Sequence, residues 1–309
     1  MKIWGMRLIA LVTGLCILLA LAFTAIELVA FDKDRYVKAY AEGGTADYIG
    51  ISEEDLMTVT DRLLDYLAET AESVSVKELA EHFCLPNSHI CRLLKSLTET
   101  GYVEQDPVSR KYRISLKILT LAHARLQKER LLELARPYMR ELASKVDAAV
   151  FVTRVYCGYS LIIDTEYPAL FPAGHNVVLG ALHHPADSAC GQICAAYSPE
   201  EVRNRILETI DWAQKGDFQA DRAGFEAELL RIRDRGYAMR DLPGDVGALG
   251  VPLFGKKGVL TGALGVMLPA QRPRTRELWQ HVAEAASSCG KLISFAQGAP
   301  LEGYPHYKE

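Results

Sequence analysis

The sequence has no surplus of positive charge. Lysine and arginine number 35 against 39 aspartates and glutamates, a formal net charge of −4. Diffuse attraction of the whole chain to nucleic acid is therefore excluded, and any DNA contact has to come from a local pattern. A disulfide framework is also lacking. The seven cysteines are Cys16, Cys84, Cys91, Cys157, Cys190, Cys194 and Cys289, an odd and scattered set that suits a reducing compartment. Metal-ligand spacing is missing too. Cys84 and Cys91 are too far apart for a CxxC knuckle, and Cys190 and Cys194, at i, i+4, have no matching pair. There is no P-loop, and the GALG and GALGV stretches lack the strand-then-helix setting of a dinucleotide site. His183, His184 and Cys190 offer a Cys/His nucleophile pair but no third group to orient it. No internal repeat is found. These absences argue against an enzyme, and no metal or cofactor is expected.

What is present begins with a long apolar run, MKIWGMRLIALVTGLCILLALAFTAIELVAF. It has no charge from Leu8 to Ile26, and after Glu27 it resumes to Phe31. About 20 apolar residues cross a bilayer core of about 30 Å. Residues 1–31 therefore read as a transmembrane or leader segment, adding one N-terminal transmembrane helix that would tie the chain to a membrane through residues 8–31. Flanking charge does not orient it, since Lys2 and Arg7 precede it and Lys33, Arg35 and Lys38 follow. A signal peptide ending at Ala20-Leu21-Ala22 is a second reading, and a mis-called start, with Met57 as the true one, or a fusion is a third. Residues 32–54 read as a linker, rich in Gly, Ala and Ser at AYAEGGTADYIGIS, with Ser52 as the cap of the next helix.

Apolar residues make up 49% of the chain and charged ones 24%, so the remainder is globular and long enough for two domains. Residues 55–115 have a distinctive order. A helix with Val59, Leu63, Leu64 and Leu67 on one face comes first. A short helix follows, opened by Ser75 with Glu78 three residues on, the pattern of a capping box. Leu85-Pro86-Asn87 breaks the chain. Asn87 or Ser88 then caps a third helix running to about Thr100, with Ile90, Leu93, Leu94 and Leu97 as its buried stripe. Gly101 stands where a helix end needs a left-handed residue. A hairpin turning at Asp106-Pro107 completes the unit.

Helix, tight turn, helix and hairpin make a winged helix-turn-helix pattern. The candidate DNA-binding residues are Asn87, Ser88, His89, Arg92 and Lys95 on the third helix and Arg110, Lys111 and Arg113 on the wing. Asn and Arg suit bidentate reading of adenine and guanine, and short polar groups at a helix start suit phosphate. From Glu72 to Ser115 six cations meet six carboxylates, so order and spacing carry this reading, not charge.

Residues 116–145 read as a linker helix, broken or bent near Pro137, with seven cations against three carboxylates. Residues 146–297 mix strands and helices, and 298–309 form a tail. The fold class is α+β. Strands are expected around AAVFVTRVYCGYSLIIDTEYP, GALGVPLFG and GVLTGALGVMLP. A small-residue helix is expected from SACGQICAAY, a second helix capped by Ser198, and a closing helix capped by Thr275.

The stretch SVKELAEHFCLPNSHICRLLKSLTETGYVEQDPVSRKYRIS resembles the winged helix of the IclR-type bacterial transcription regulators. Leu85-Pro86, Ser88, Arg92-Leu93-Leu94 and Gly101-Tyr102-Val103 carry the likeness, joined by Gly247-Ala248-Leu249-Gly250-Val251-Pro252 and Val266-Met267-Leu268-Pro269. It covers about residues 57–297. The resemblance implies a winged helix-turn-helix DNA-binding domain, a linker helix and a GAF-like α/β effector-binding domain, assembled as a homodimer or tetramer on a double-stranded DNA operator. It also implies a small-molecule effector, an organic acid being one class, that modulates operator affinity from the C-terminal domain. The effector-site positions it implies are Ser188, Ala189, Cys190, Gly191, Ala248, Gly250, Gly265 and Met267. This chain departs from the family at His184-Pro185-Ala186, at Gln192 where a lysine is usual, and at Met267 where a hydroxyl is common, which leaves a carboxylate fewer donors. The implied setting is cytoplasmic, with or without the membrane anchor. A start at Met57 would match the family's usual length, and residues 31–56 weakly resemble the segment after the first span in a group of bacterial integral membrane proteins. A reading of another class is a membrane-attached metabolite sensor whose winged helix binds protein.

Overall fold

The computed structural model describes residues 53–300 and 304, apart from 157, 170, 172–176, 209, 211, 213–221, 243–245, 270, 271 and 274. The apolar run at 8–31, residues 32–52 of the expected linker and the Ser52 cap lie outside the described residues; Glu53 and Glu54, expected in the linker, begin the first helix. No helix among the described residues is long and apolar enough to cross a membrane. The chain divides into two compact units, one reaching Ala124 and one starting at Arg125.

The first unit holds α1 (Glu53–Glu69), α2 (Val76–Phe83), α3 (Asn87–Glu99) and an antiparallel hairpin of β1 (Val103–Gln105) and β2 (Tyr112–Ile114). Val74 bridges antiparallel to Tyr112 on the edge of β2 away from β1, exchanging backbone hydrogen bonds at 2.8 and 2.7 Å. The expected capping box is present. Ser75 Oγ accepts from the Glu78 N–H at 3.2 Å, and Glu78 Oε2 accepts from the Ser75 N–H at 2.6 Å. Such a cap contributes about 1 kcal/mol. α2 stops at Cys84, which takes a left-handed φ of +53° without being glycine. Gly101, at φ +79°, ends α3 as expected. The start of α3 differs from expectation. Neither Asn87 nor Ser88 caps it; Pro86 occupies the cap position, and its carbonyl accepts from the His89 and Ile90 N–H groups at 3.0 and 3.3 Å. The proline ring holds φ at −58°, so the backbone turns without help from a side chain. Val59, Leu63 and Leu67 of α1, Leu79 and Phe83 of α2 and Ile90, Leu94 and Leu97 of α3 form one core. That apolar stripe decides which face of α3 is left outside.

The expected linker helix is two helices, α4 (Lys117–Leu126) and α5 (Arg130–Val146). The break falls at 127–129, and Pro137 lies inside α5. A helix-interior proline costs about 3 kcal/mol. Here Leu131, Leu132 and Ala135 are buried before it and Met139, Leu142 and Val146 after it. Each large apolar side chain buried contributes about 1.5–3 kcal/mol, so burial outweighs the proline. α4 has no buried residue.

The second unit is built on a six-stranded antiparallel sheet in the order β5-β4-β3-β8-β7-β6. Its strands are β3 (Ala149–Tyr156), β4 (Tyr159–Glu166), β5 (Leu182–His183), β6 (Ala238–Leu242), β7 (Val246–Phe254) and β8 (Leu260–Leu268). Side chains alternate between the two faces. Val150, Val152, Leu249, Val251, Leu264 and Val266 pack under α5 and α9 (Arg276–Ala296). Phe151, Ala248 and Ala263 pack on the other face against α6 (Ala189–Tyr197) and α8 (Arg222–Arg235). Thr275 caps α9 as expected, accepting from the Leu278 N–H at 3.2 Å. Ser198 does not open α7 (Glu200–Glu208). Its Oγ donates to the Cys194 carbonyl at 2.6 Å and closes α6 instead.

Candidate functional site

Opposite the buried stripe of α3, Asn87, Ser88, Cys91, Arg92 and Lys95 are exposed. Spacings of three and four put them on one face. His89 is half-buried and leaves that face. Cys91 was not singled out from the sequence because a thiol is neither a base-edge donor nor a cation. Its position three after Ser88 and four before Lys95 was the signal.

Several cations of this unit already have carboxylates. Lys95 Nζ lies 3.8 Å from Glu99, Lys111 Nζ 3.7 Å from Glu78, and Arg113 Nε 2.6 Å from Glu104. Arg92 and Arg110 make no ion pair among the described residues. Exposed pairs are worth about 0–1 kcal/mol, so a phosphate can displace the carboxylates. At the wing tip Asp106 accepts from Val108 N–H, Ser109 N–H and Ser109 Oγ at 3.0, 2.6 and 2.8 Å. These bonds, led by that from the Ser109 backbone, hold its carboxyl below the usual range. The turn they fix ends at Arg110, which takes a φ of +59°.

A second charged cluster lies where α4 meets α5. The Glu129 carboxylate, 7% exposed, accepts from Arg154 Nη2 at 2.6 Å and Arg125 Nη2 at 3.0 Å, and opens α5 through the Leu131 N–H at 3.4 Å. Burial alone would raise its carboxyl. The Arg154 hydrogen bond and charge, with the Leu131 and Arg125 bonds, outweigh burial and hold it below the ordinary carboxylate value.

Between the sheet and the start of α6 lies a cavity of about 190 Å³. Five of the expected ligand residues line it: Ser188, Ala189, Cys190, Ala248 and Met267. Gly191, Gly250 and Gly265 do not, and their smallness serves packing. A Cβ on Gly191 would lie 2.8 Å from the His184 carbonyl oxygen. One on Gly250 would lie 3.0 Å from the Cys190 nitrogen, and one on Gly265 would lie 2.1 Å from Phe151 Cζ. Gly265 thus makes room for the Phe151 ring, which itself forms part of the wall. Phe151, Ile162 and His183 line the cavity without having been singled out as its walls, and Asp187, next to the expected Ser188, lines it as well. An apolar wall residue has the same sequence signature as a core residue.

The α6 start is closed by its own residues. Ser188 Oγ accepts from the Gly191 N–H and the Ser188 carbonyl from the Gln192 N–H, both at 2.9 Å. Burial pushes the Cys190 thiol well up and the Cys194 thiol to about 12. Burial pushes His183 down, with the Asp187 charge opposing it. Near pH 7 the imidazole is neutral and the thiols keep their protons, so a thiolate–imidazolium pair does not form here. Among the described residues no group of three or more His, Cys, Asp or Glu could hold a metal ion.

Comparison with known proteins agrees with this two-part arrangement. Residues 60–107 match the IclR helix-turn-helix domain, and residues 123–295 match the bacterial transcriptional regulator IclR C-terminal domain. The chain is 23% identical over 248 residues to the HTH-type transcriptional regulator KdgR of Escherichia coli, covering 74% of this chain and 88% of that protein. It is 26% identical over 214 residues to the glycerol operon regulatory protein of Streptomyces griseus, covering 68% and 83%. The crystal structure of an IclR family transcriptional regulator from Brucella abortus superposes with a TM-score of 0.68 at 24% identity, over 78% of this chain and 92% of that one. The chain belongs to the IclR family of bacterial transcriptional regulators, and it is a ligand-responsive DNA-binding regulator.

Proposed function

We propose that two or four copies of this chain read a near-palindromic operator, each presenting α3 to the major groove and the wing to the flanking backbone. In this reading residues 55–115 read DNA, 116–145 link, and 146–297 bind a small metabolite in the α6 cavity that shifts operator affinity. The observation that carries it is the exposed face of Ser88, Cys91, Arg92 and Lys95, held outward by the buried stripe of Ile90, Leu94 and Leu97. Leu116, Leu119 and Leu121 at α4 are 77, 63 and 48% exposed, which favours pairing with a second copy. A span over residues 8–31 would hold the regulator beside the membrane, with residue 32 onward on the side of the DNA. Cell fractionation and intact-mass analysis of the native protein test that placement.

Arg92→Ala tests the docking by gel shift on the native operator. An Arg that reads a base contributes about 1–3 kcal/mol, so affinity should fall about 5- to 150-fold and preference at one base pair of each half-site should relax. Arg110→Ala should instead weaken all sequences alike and reduce the salt slope by about one unit per copy. Unchanged affinity and slope in both variants would refute the docking.

A further inference from the structure

The α6 cavity, taken as the effector site proposed above, is built against an acid. No Lys or Arg lines it among the described residues. The carboxylate in its wall is Asp187, immediately before the helix cap. The helix start that would attract an anion is partly satisfied by its own residues. Its Gly191 and Gln192 N–H groups bond back to Ser188, and its Cys190 nitrogen packs close under β7, where a Cβ at position 250 would approach it to 3.0 Å. Arg240 reaches this region, but its guanidinium donates to the Ala186 carbonyl and is not part of the wall. His183 brings no positive charge, since burial favours its neutral form. The rest of the wall is apolar, with Phe151, Ile162, Ala248 and Met267 on the sheet side. A carboxylate entering here would lose its water and meet a carboxylate.

Size narrows the ligand further. An apolar cavity of about 150 Å³ takes one benzene ring. This one, at about 190 Å³, holds one ring with a small substituent. Asp187 supplies the polar contact. An ionised carboxylate has about four lone-pair positions, so it accepts from a ligand hydroxyl beside its other contacts. We propose that the cavity selects an uncharged, single-ring ligand carrying a hydroxyl donor, a phenol or aromatic alcohol, and rejects the carboxylate of the same size. This deepens the effector-site reading and rests on it.

The test uses size-matched pairs on the full chain by calorimetry: benzyl alcohol against benzoate, and 4-methylphenol against 4-hydroxybenzoate. The neutral member of each pair should bind at least about 50-fold more tightly. Asp187→Asn should keep the alcohol, because the amide oxygen still accepts, and narrow the gap about tenfold. Ala248→Leu should fill the cavity and abolish binding, with circular dichroism and retained operator binding showing that the variant folds; Met267→Phe serves as a second filling variant. Equal or tighter binding of the acids, lost in Ala248→Leu, overturns the ligand class and leaves the effector site standing. No binding by either member of both pairs also overturns the ligand class. Binding that survives both filling variants places the ligand elsewhere and overturns the effector-site reading with it.

Discussion

Glu129→Gln is the perturbation whose size follows most directly from the structure. It removes the charge that Arg154 and Arg125 share while keeping an oxygen to open α5. Stripping one partner from a fully buried ion pair costs about 3–5 kcal/mol. Arg154 is 32% exposed at its side chain and keeps a bond to the Thr261 carbonyl at 2.9 Å, and Arg125 is 68% exposed, so water recovers part of that cost. We expect about 2 kcal/mol at pH 7. In a unit of this size, that is a fall in Tm of about 4–8 °C. Tryptophan fluorescence follows it, because Trp212 and Trp279 both belong to the C-terminal unit. The pH dependence carries its own sign. Glu129 is held below its ordinary value, so its contribution is present above the unfolded carboxyl value of about 4.3 and is lost as pH falls through the lower native value. The gap between wild type and variant should therefore begin to close near pH 4.3 and go on closing below it. A gap under about 1 °C at pH 7, or one that is unchanged down to pH 3, would refute this account of the junction.

Other predictions test the two faces. Alkylation of Cys91 by N-ethylmaleimide should block operator binding, and Cys91→Ala should make binding insensitive to the reagent; Cys84, half-buried at the end of α2, is the control position, so Cys84→Ala should leave the block intact. Gly265→Ala should push the Phe151 ring into the cavity, costing about 1 kcal/mol in a urea melt while weakening ligand binding more than stability. Retained ligand affinity in that variant would mean the ring does not move as the 2.1 Å approach requires.

Local chemistry was legible in the sequence. The Ser75 and Glu78 box, Gly101 and the Thr275 cap each depend on residues within a turn of one another, so spacing was enough to place them. The stripe of α3 was legible for the same reason, with Ile90, Leu94 and Leu97 buried and Leu93 half-buried at its edge, and with it the exposed face. What failed depended on distant contacts. The helix break was expected at Pro137, yet the proline is overruled by apolar burial on both sides, and the chain breaks where Glu129 finds Arg154 from β3. β6 went unread because AMRDL has no β-branched residue and owes its strand to pairing with β7. The cavity was half legible. Small residues pointed to the α6 start, but smallness also marks where backbone or ring needs room, and Gly250 and Gly265 proved to be of that kind.

The bareness of α4 has a consequence for how the protein ages and dilutes. Isolated helices shorter than about 12–15 residues are marginal in water, and α4 has ten residues, none of them buried. Its persistence as a helix then depends on whatever shields Leu116, Leu119 and Leu121. A chain without that cover would fray there first and offer Lys117 and Arg125 to a trypsin-like protease. Cleavage at either would part the winged helix from the α6 cavity while leaving each with its own core intact. The segment joining the two functions is thus also the one whose lifetime depends most on company.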